Sequence, residues 1–243
     1  TCQRVDMRES VALITGVNRG FGFELTREYC RLRWRVFGVL RNKEHVAKLS
    51  SELGKAFIPI IADLRDDTAT SIIRQILEGK TEHISLIVNN AGIVGNGYEV
   101  ETVACNEIKE LFDVHCCGAI RCLQAALPFL RKAEHATIVN VNSRLGSISN
   151  VSSGCYDHIS ASYGMRMAKA AQNMLSASLH RELKNTGISV FSVHPGKIQT
   201  RMGSPDADMT AKQAAKRFIN WLPRATQERE FGYFEAGAAE LPF

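Results

Sequence analysis

No apolar run in this chain reaches the ~18 residues that a membrane span needs, and the N-terminal TCQRVDMRES lacks the apolar centre of a secretion signal. A cytoplasmic location is the expectation. The seven cysteines, Cys2, Cys30, Cys105, Cys116, Cys117, Cys122 and Cys155, form no C-x-x-C pair and no metal-like spacing with histidine. An odd count without a framework excludes a disulfide scaffold and reads as reduced thiols, most of them small core residues, with no metal site. Blocks of like charge are also missing. The net charge of +5 is spread along the chain, which argues against nucleic-acid and membrane partners and is compatible with a small anionic substrate. Neither an internal repeat nor a linker divides the 243 residues.

What is present is an alternation. With 45% apolar residues the chain can bury a substantial core. Short β-branched runs (SVALIT, RVFGVL, AFIPII, ISLIVNN, ATIVNV, ISVFSV) take turns with amphipathic stretches at 21–33, 42–53, 67–79, 106–131 and 160–186. Such alternation predicts βαβ units, a parallel sheet and right-handed crossovers that put helices on both faces. One domain over 1–243 is the simplest reading, with residues 10–100 mainly binding a dinucleotide and 101–243 supplying catalysis and substrate contacts. Beyond about 197 the periodicity fades through GSPDADMT and Pro223. There 197–212 reads as a mobile loop and FGYF as an edge strand.

After the first strand comes LITGVNRGFGFEL, with Gly16, Gly20 and Gly22 opening a helix. Glycines in that setting permit a tight turn and let backbone amides at a helix N-terminus approach a pyrophosphate. A purely structural turn is the competing reading. The spacing is G-x-x-x-G-x-G and not G-x-G-x-x-G.

That spacing, followed in order by NNAG at 89–92, NSRLGS at 142–147, a helix bearing Lys169 and HPGKIQT at 194–200, resembles the classical short-chain dehydrogenase/reductase family. The run TGVNRGFG, VLRN after the second strand and the terminal LPF are most similar to its carbonyl-reductase-like branch, which includes the C-factor proteins. The resemblance covers nearly the whole chain. It implies a single Rossmann-type, doubly wound, seven-stranded parallel sheet, NAD or NADP as cofactor, and a homodimer or homotetramer packed through the helices near 106–131 and 160–186. It further implies that Gly16, Asn18, Gly20 and Phe21 line the pyrophosphate and ribose, and that Asp63 and Leu64 sit at the adenine. Asn90, Ala91 and Gly92 then hold the adenosine side, and Pro195, Gly196, Ile198 and Thr200 the nicotinamide end. A helix N-cap is the competing reading of Asp63. Where an NAD enzyme commonly presents an acid after the second strand, this chain has Arg41. With Arg19 it could grip a 2'-phosphate, so NADP(H) is favoured and NAD(H) remains possible, the alternative being two solvated surface charges.

The family's catalytic group is a serine, a tyrosine and lysine in Y-x-x-x-K, and an asparagine. Ser143 and Lys169 match; four residues before Lys169 stands Met165, and the asparagine position in LFDVHCCGA is His115. Starting instead from Tyr163, the fourth residue on is Met167. The register that keeps Lys169 agrees with the continuation KAAQNM. On a helix, two residues are a rotation of about 200°, which turns Tyr163 away from the face of Lys169 unless the helix begins later. His115 is either a general acid titrating near neutrality or a polar residue that satisfies the backbone at a kink. Tyr156 and His158 are further donor candidates, each otherwise a loop residue. A substrate carboxylate would find Arg144 first, then Lys197 and Arg201, each of which can also be a surface charge.

Losing a positioned general acid costs roughly 10²–10⁴ in rate, so ordinary ketone reduction is expected to be poor. Hydride addition to the β-carbon of a conjugated enone needs an oxyanion donor more than a tyrosine, because carbon is protonated later. Family members with altered catalytic residues in the bacilysin and aeruginosin pathways act this way on dienones of the dihydro-hydroxyphenylpyruvate type, and the likeness to them is one of catalytic departure and size. Three readings stay open: an enone reductase, a carbonyl reductase whose proton comes from Tyr163, Tyr156 or His115, and a non-catalytic dinucleotide-binding sensor or scaffold.

Overall fold

The computed structural model describes residues 10–199 and 207–243. Seven strands form one sheet in the order β3-β2-β1-β4-β5-β6-β7, every neighbouring pair parallel. The strands are β1 (Val11–Thr15), β2 (Arg35–Leu40), β3 (Phe57–Ile61), β4 (Leu86–Asn89), β5 (Ala136–Val141), β6 (Ile188–His194) and β7 (Phe231–Glu235). β1 and β4 are buried along their whole length, as expected of parallel strands covered on both faces. Pro59 stands in β3, an edge strand, where a missing backbone donor is tolerated.

Alternation along each strand feeds two cores. Ala12, Ile14, Val88, Val139 and Phe191 face one layer, built by α1 (Gly20–Arg31), α2 (Val46–Leu53) and α8 (Ala211–Glu228). Leu13, Phe37, Ile87, Ile138 and Val190 face the other, where α3 (Thr68–Glu78) and α5 (Gly118–Leu130) pack. The long helix α7 (Tyr163–Glu182) lies beside α4 (Cys105–Phe112), and the short α6 (Ile148–Ser152) follows β5.

Two stretches differ from the sequence reading. The segment 106–131 is not one regular helix, because a turn of π-helix, Asp113–Cys117, joins α4 to α5. Extra residues in such a turn redirect backbone carbonyls, and they do so here at the site. The region 197–212 is also not a loop throughout. Ala211 and Lys212 belong to α8, whose capping box pairs Thr210 with Gln213. Ile198 bridges Met209, closing the base of the intervening segment. Helix α8 escaped the sequence reading because Pro223 stands inside it, and Pro usually marks a helix end. Thr200 and Arg201 lie outside the described residues.

Candidate active site

The strand order reverses between β1 and β4, and there the carboxyl ends of neighbouring strands open a crevice, the usual ligand position in such sheets. Gly16 at the end of β1 has φ +71, and a Cβ on it would come 3.0 Å from the Ala91 Cα. Glycine therefore lets the β1 and β4 ends approach. Thr15 Oγ1 accepts from the amides of Asn90 and Ala91, both at 2.9 Å, and the Asn90 side chain donates to the Thr15 carbonyl at 2.9 Å. These bonds stitch the two turns into a cradle. Helix α1 enters it with Arg19 at its N-cap, no side-chain cap and no acid in its first turn. Its leading amides are thus left for an anion from elsewhere. Asn18 and Arg19 are exposed on the rim, as is Arg41 just beyond β2, while Phe21 turns into the core. The donor set, a glycine cradle with an uncapped helix end and two exposed arginines, fits a dinucleotide carrying extra phosphate.

Asp63 is not the N-cap of α3. That position falls at Asp67, and it is Asp66 that accepts from the Thr68 amide at 2.9 Å. Instead, the Asp63 carboxylate takes a two-pronged contact from Arg65, with Arg65 Nη2 at 2.7 Å and Nε at 3.1 Å. This pairing holds the carboxyl below its ordinary value, and nearby Arg41 adds to the effect. Leu64 next to it is buried and packs against the Gly118 turn.

At the reaction end, Ser143 follows β5 as N-cap of a short 3₁₀ turn, its Oγ accepting from the Leu145 amide at 3.2 Å. An oxygen that accepts there keeps its proton free to donate to a substrate oxygen. Two neighbours fix the serine: its amide donates to Asn142 Oδ1 at 2.7 Å, and the buried Tyr233 hydroxyl donates to its carbonyl. Asn142 in turn joins Asn173 of α7 and Ser192 of β6, at 2.6 and 2.9 Å, in a buried polar cluster that pins α7 to the sheet. Gln172, Asn173 and Tyr233 were not named as site residues from the sequence, where they stand within KAAQNM and FGYF. Gln172 and Asn173 carried a signal, standing three and four residues after Lys169 on the same helix face.

Lys169 is buried. Its Nζ donates to the Val141 carbonyl at 2.7 Å and to Gln172 Oε1 at 2.9 Å. Burial brings its pKa down to about 7. The helix starts at Tyr163, so the rotation argument applies: Tyr163 points outward, 42% exposed, its amide bonded to the Gly97 carbonyl. Met165 is half-buried in the first turn, its amide capped by Ser162 Oγ.

His115 sits in the π turn, 3% exposed, with Nε2 2.9 Å from the Ile93 carbonyl and its ring against Gly92. Burial first, then the charge of Lys169, push its pKa down to about 3. It is therefore neutral at physiological pH. A near-neutral general acid is the wrong description of His115; it locks the kink to the loop after β4.

The other candidates are already engaged. Arg144 is buried, its guanidinium 5.4 Å from the ring centre of Tyr156, whose hydroxyl accepts from Asn150 Nδ2 at 3.1 Å. Arg144 is thus a buried cation on an aromatic face and not an open carboxylate receptor. Neither is His158 enclosed; it is exposed on the surface. Pro195 and Gly196 follow β6, and the Lys197 carbonyl accepts from the Asp208 and Met209 amides. No group of three or more potential metal ligands occurs among the described residues.

Comparison with known proteins agrees with this fold. The C-signal of Myxococcus xanthus is 29% identical over 163 residues, covering 67% of this chain and 95% of that protein. A probable NADP-dependent dehydrogenase of Haemophilus influenzae is 26% identical over 78% of this chain and 72% of its own length. In fold, the chain superimposes on the carbonyl reductase Sniffer of D. melanogaster with a TM-score of 0.86 at 24% identity, over 97% of this chain and 100% of that one. An NADPH-bound carbonyl reductase from chicken fatty liver also gives 0.86, at 22% identity, over 98% and 100%. The family model for short chain dehydrogenases matches residues 10–211. The chain belongs to the short-chain dehydrogenase family of oxidoreductases.

Proposed function

We propose that the protein is an NADP(H)-dependent reductase that delivers hydride to the β-carbon of a small conjugated enone. NADP(H) is supported by Arg19 and Arg41 on the rim and by relatives described as NADP-dependent. The glycine turn, the Asn90–Ala91 backbone and Lys169 would hold it, and when bound it supplies the hydride. The observation that carries the choice of acceptor is Met165. One helical turn before Lys169, this first-turn position offers a thioether and no hydroxyl, and Tyr163 faces solvent.

Ser143 holds the substrate oxygen and donates to it as negative charge develops, a contribution of about 3–4 kcal/mol for one such donor. An enolate so held waits for a proton at carbon from water. A ketone cannot wait, because hydride transfer to its carbon must be accompanied by charge relief at oxygen. A dienone of the dihydro-hydroxyphenylpyruvate type fits this chemistry. Helix α7 also exposes Met167 and Met174, seven residues apart on one face, with Phe112 exposed on α4. That face supports a homo-oligomer.

One observation favours carbonyl reduction as a second reading. Lys169 has three protons when charged, two hydrogen-bond acceptors, and a pKa near 7, so its third proton is available for transfer. The experiment follows NADPH consumption with matched cyclic enones and saturated ketones and identifies products by NMR. Saturated ketone from the enone, with the ketone panel inert, is the expected result. Turnover of the saturated ketones would overturn the enone assignment in favour of the lysine-driven alternative.

A further inference from the structure

We propose that Gln172 is a positioning residue for Lys169, clamping its amino group between the carboxyl end of β5 and the π turn. Gln172 lies on α7, 1% exposed, three residues after Lys169. Its Oε1 accepts from Lys169 Nζ at 2.9 Å and its Nε2 donates to the His115 carbonyl at 3.1 Å. The amide orientation is dictated by its neighbours: an ammonium cannot accept and a carbonyl cannot donate, so only this arrangement satisfies both ends. The His115 carbonyl lies in the π turn, where the regular bonding of each carbonyl to the amide four residues on is interrupted.

The result is a chain from the His115 carbonyl through Gln172 and Lys169 to the Val141 carbonyl. Both acceptors on the lysine are neutral, and both remain satisfied whether it carries three protons or two. One proton is therefore free to exchange without disturbing the head group's position. The charged and titratable groups on the surrounding elements are His115 and Cys116 from the π turn, Glu107 from α4, Arg144 from the turn after β5, His194 at the end of β6, and Tyr233 and Glu235 from β7. Among the described residues none of these hydrogen-bonds to Nζ, whose partners are Val141 and Gln172 alone. Of the titratable neighbours, His115 and Cys116 interact with its charge.

The inference holds for either acceptor, enone or ketone, because it concerns the lysine alone. Its test needs no substrate. Lysines labelled with ¹³C at Cε are titrated by NMR in the whole protein, and the Lys169 signal is identified by its loss in Lys169→Met. Gln172→Met keeps the length and packing but removes the acceptor; Gln172→Glu keeps the acceptor and adds a charge. The expected midpoints move in opposite directions, down by at least half a pH unit for Gln172→Met and up by one or more for Gln172→Glu. A residue that only fills space would leave the Gln172→Met midpoint where it is, while the Gln172→Glu shift reports that position 172 lies within reach of the Lys169 charge. An unchanged Lys169 midpoint in the folded Gln172→Met protein, or in Gln172→Glu should the first fail to fold, overturns the proposal. Failure of the enone assay with these shifts intact would leave Gln172's role standing and remove only the choice of acceptor.

Discussion

Met165 is the position where chemistry and geometry meet most sharply. Tyrosine there would stand one turn before Lys169 on the same face, with a hydroxyl where the thioether now lies. Met165→Tyr is expected to raise ketone turnover by about 10² or more while leaving enone turnover within a few-fold, read from initial rates on the two panels. His115 gives a second test. Its ring fills the space that a Cβ on Gly92 would need, 2.5 Å from His115 Cε1. Gly92→Ala should destabilise the fold by about 1–3 kcal/mol in urea titrations, and much of that loss should return when His115→Ala is added. Full additivity of the two changes would mean the contact is not the cause. Ser143, Lys169 and the Met165 departure were readable as letters at family spacings. His115's neutrality was not, because it arises first from burial and then from the charge of Lys169, which lies more than fifty residues away in sequence.

At the scale of elements, the strands were the most legible part. RVFGVL and ATIVNV are β2 and β5 to the residue, since a β-branched run bounded by turn residues has few other options. The helices carried less complete information. The π turn carries the His115 carbonyl that Gln172 of α7 contacts, and periodicity within 106–131 does not record that. Helix α8 owes its place to packing. Phe218 is fully buried, with its ring 5.9 Å from Phe21 and 6.1 Å from Trp221, so the helix clasps α1 across the open face of the sheet. Phe218→Ala is expected to cost about 3–5 kcal/mol, measurable as a lowered urea midpoint, with NADPH binding weakened because α1 presents the cradle.

For the whole molecule, two buried bases with lowered pKa values give stability a definite dependence on pH. Between pH 3 and 6.5 the unfolded chain binds a proton at His115 that the folded chain refuses, so stability falls as the pH drops through this range. Between pH 7 and about 10.4 the same holds for Lys169, so its burial costs most at or below pH 7 and progressively less above it. Lys169→Met should flatten the rise in unfolding free energy between pH 7 and 9, as followed by urea denaturation at each pH. Assembly is tested at the same scale. Met167→Lys with Met174→Lys should lower the mass seen by sedimentation if the exposed α7 face pairs with a second copy, and should leave an isolated subunit unchanged.

By itself the sequence determined the alternating architecture, the glycine turn that opens α1 and the identity of the groups at Ser143, Lys169 and Met165. All of these are local: strand runs, helix periods and residues at fixed spacing along one element. The tertiary structure decided what those groups can do. Bringing β5, the π turn and α7 together buried Lys169 between two neutral acceptors, silenced His115, turned Arg144 onto Tyr156 and gave Gln172 its bridge. A proton's affinity for a side chain is set by the dielectric and the partners around it, and in this protein those partners come from distant parts of the chain.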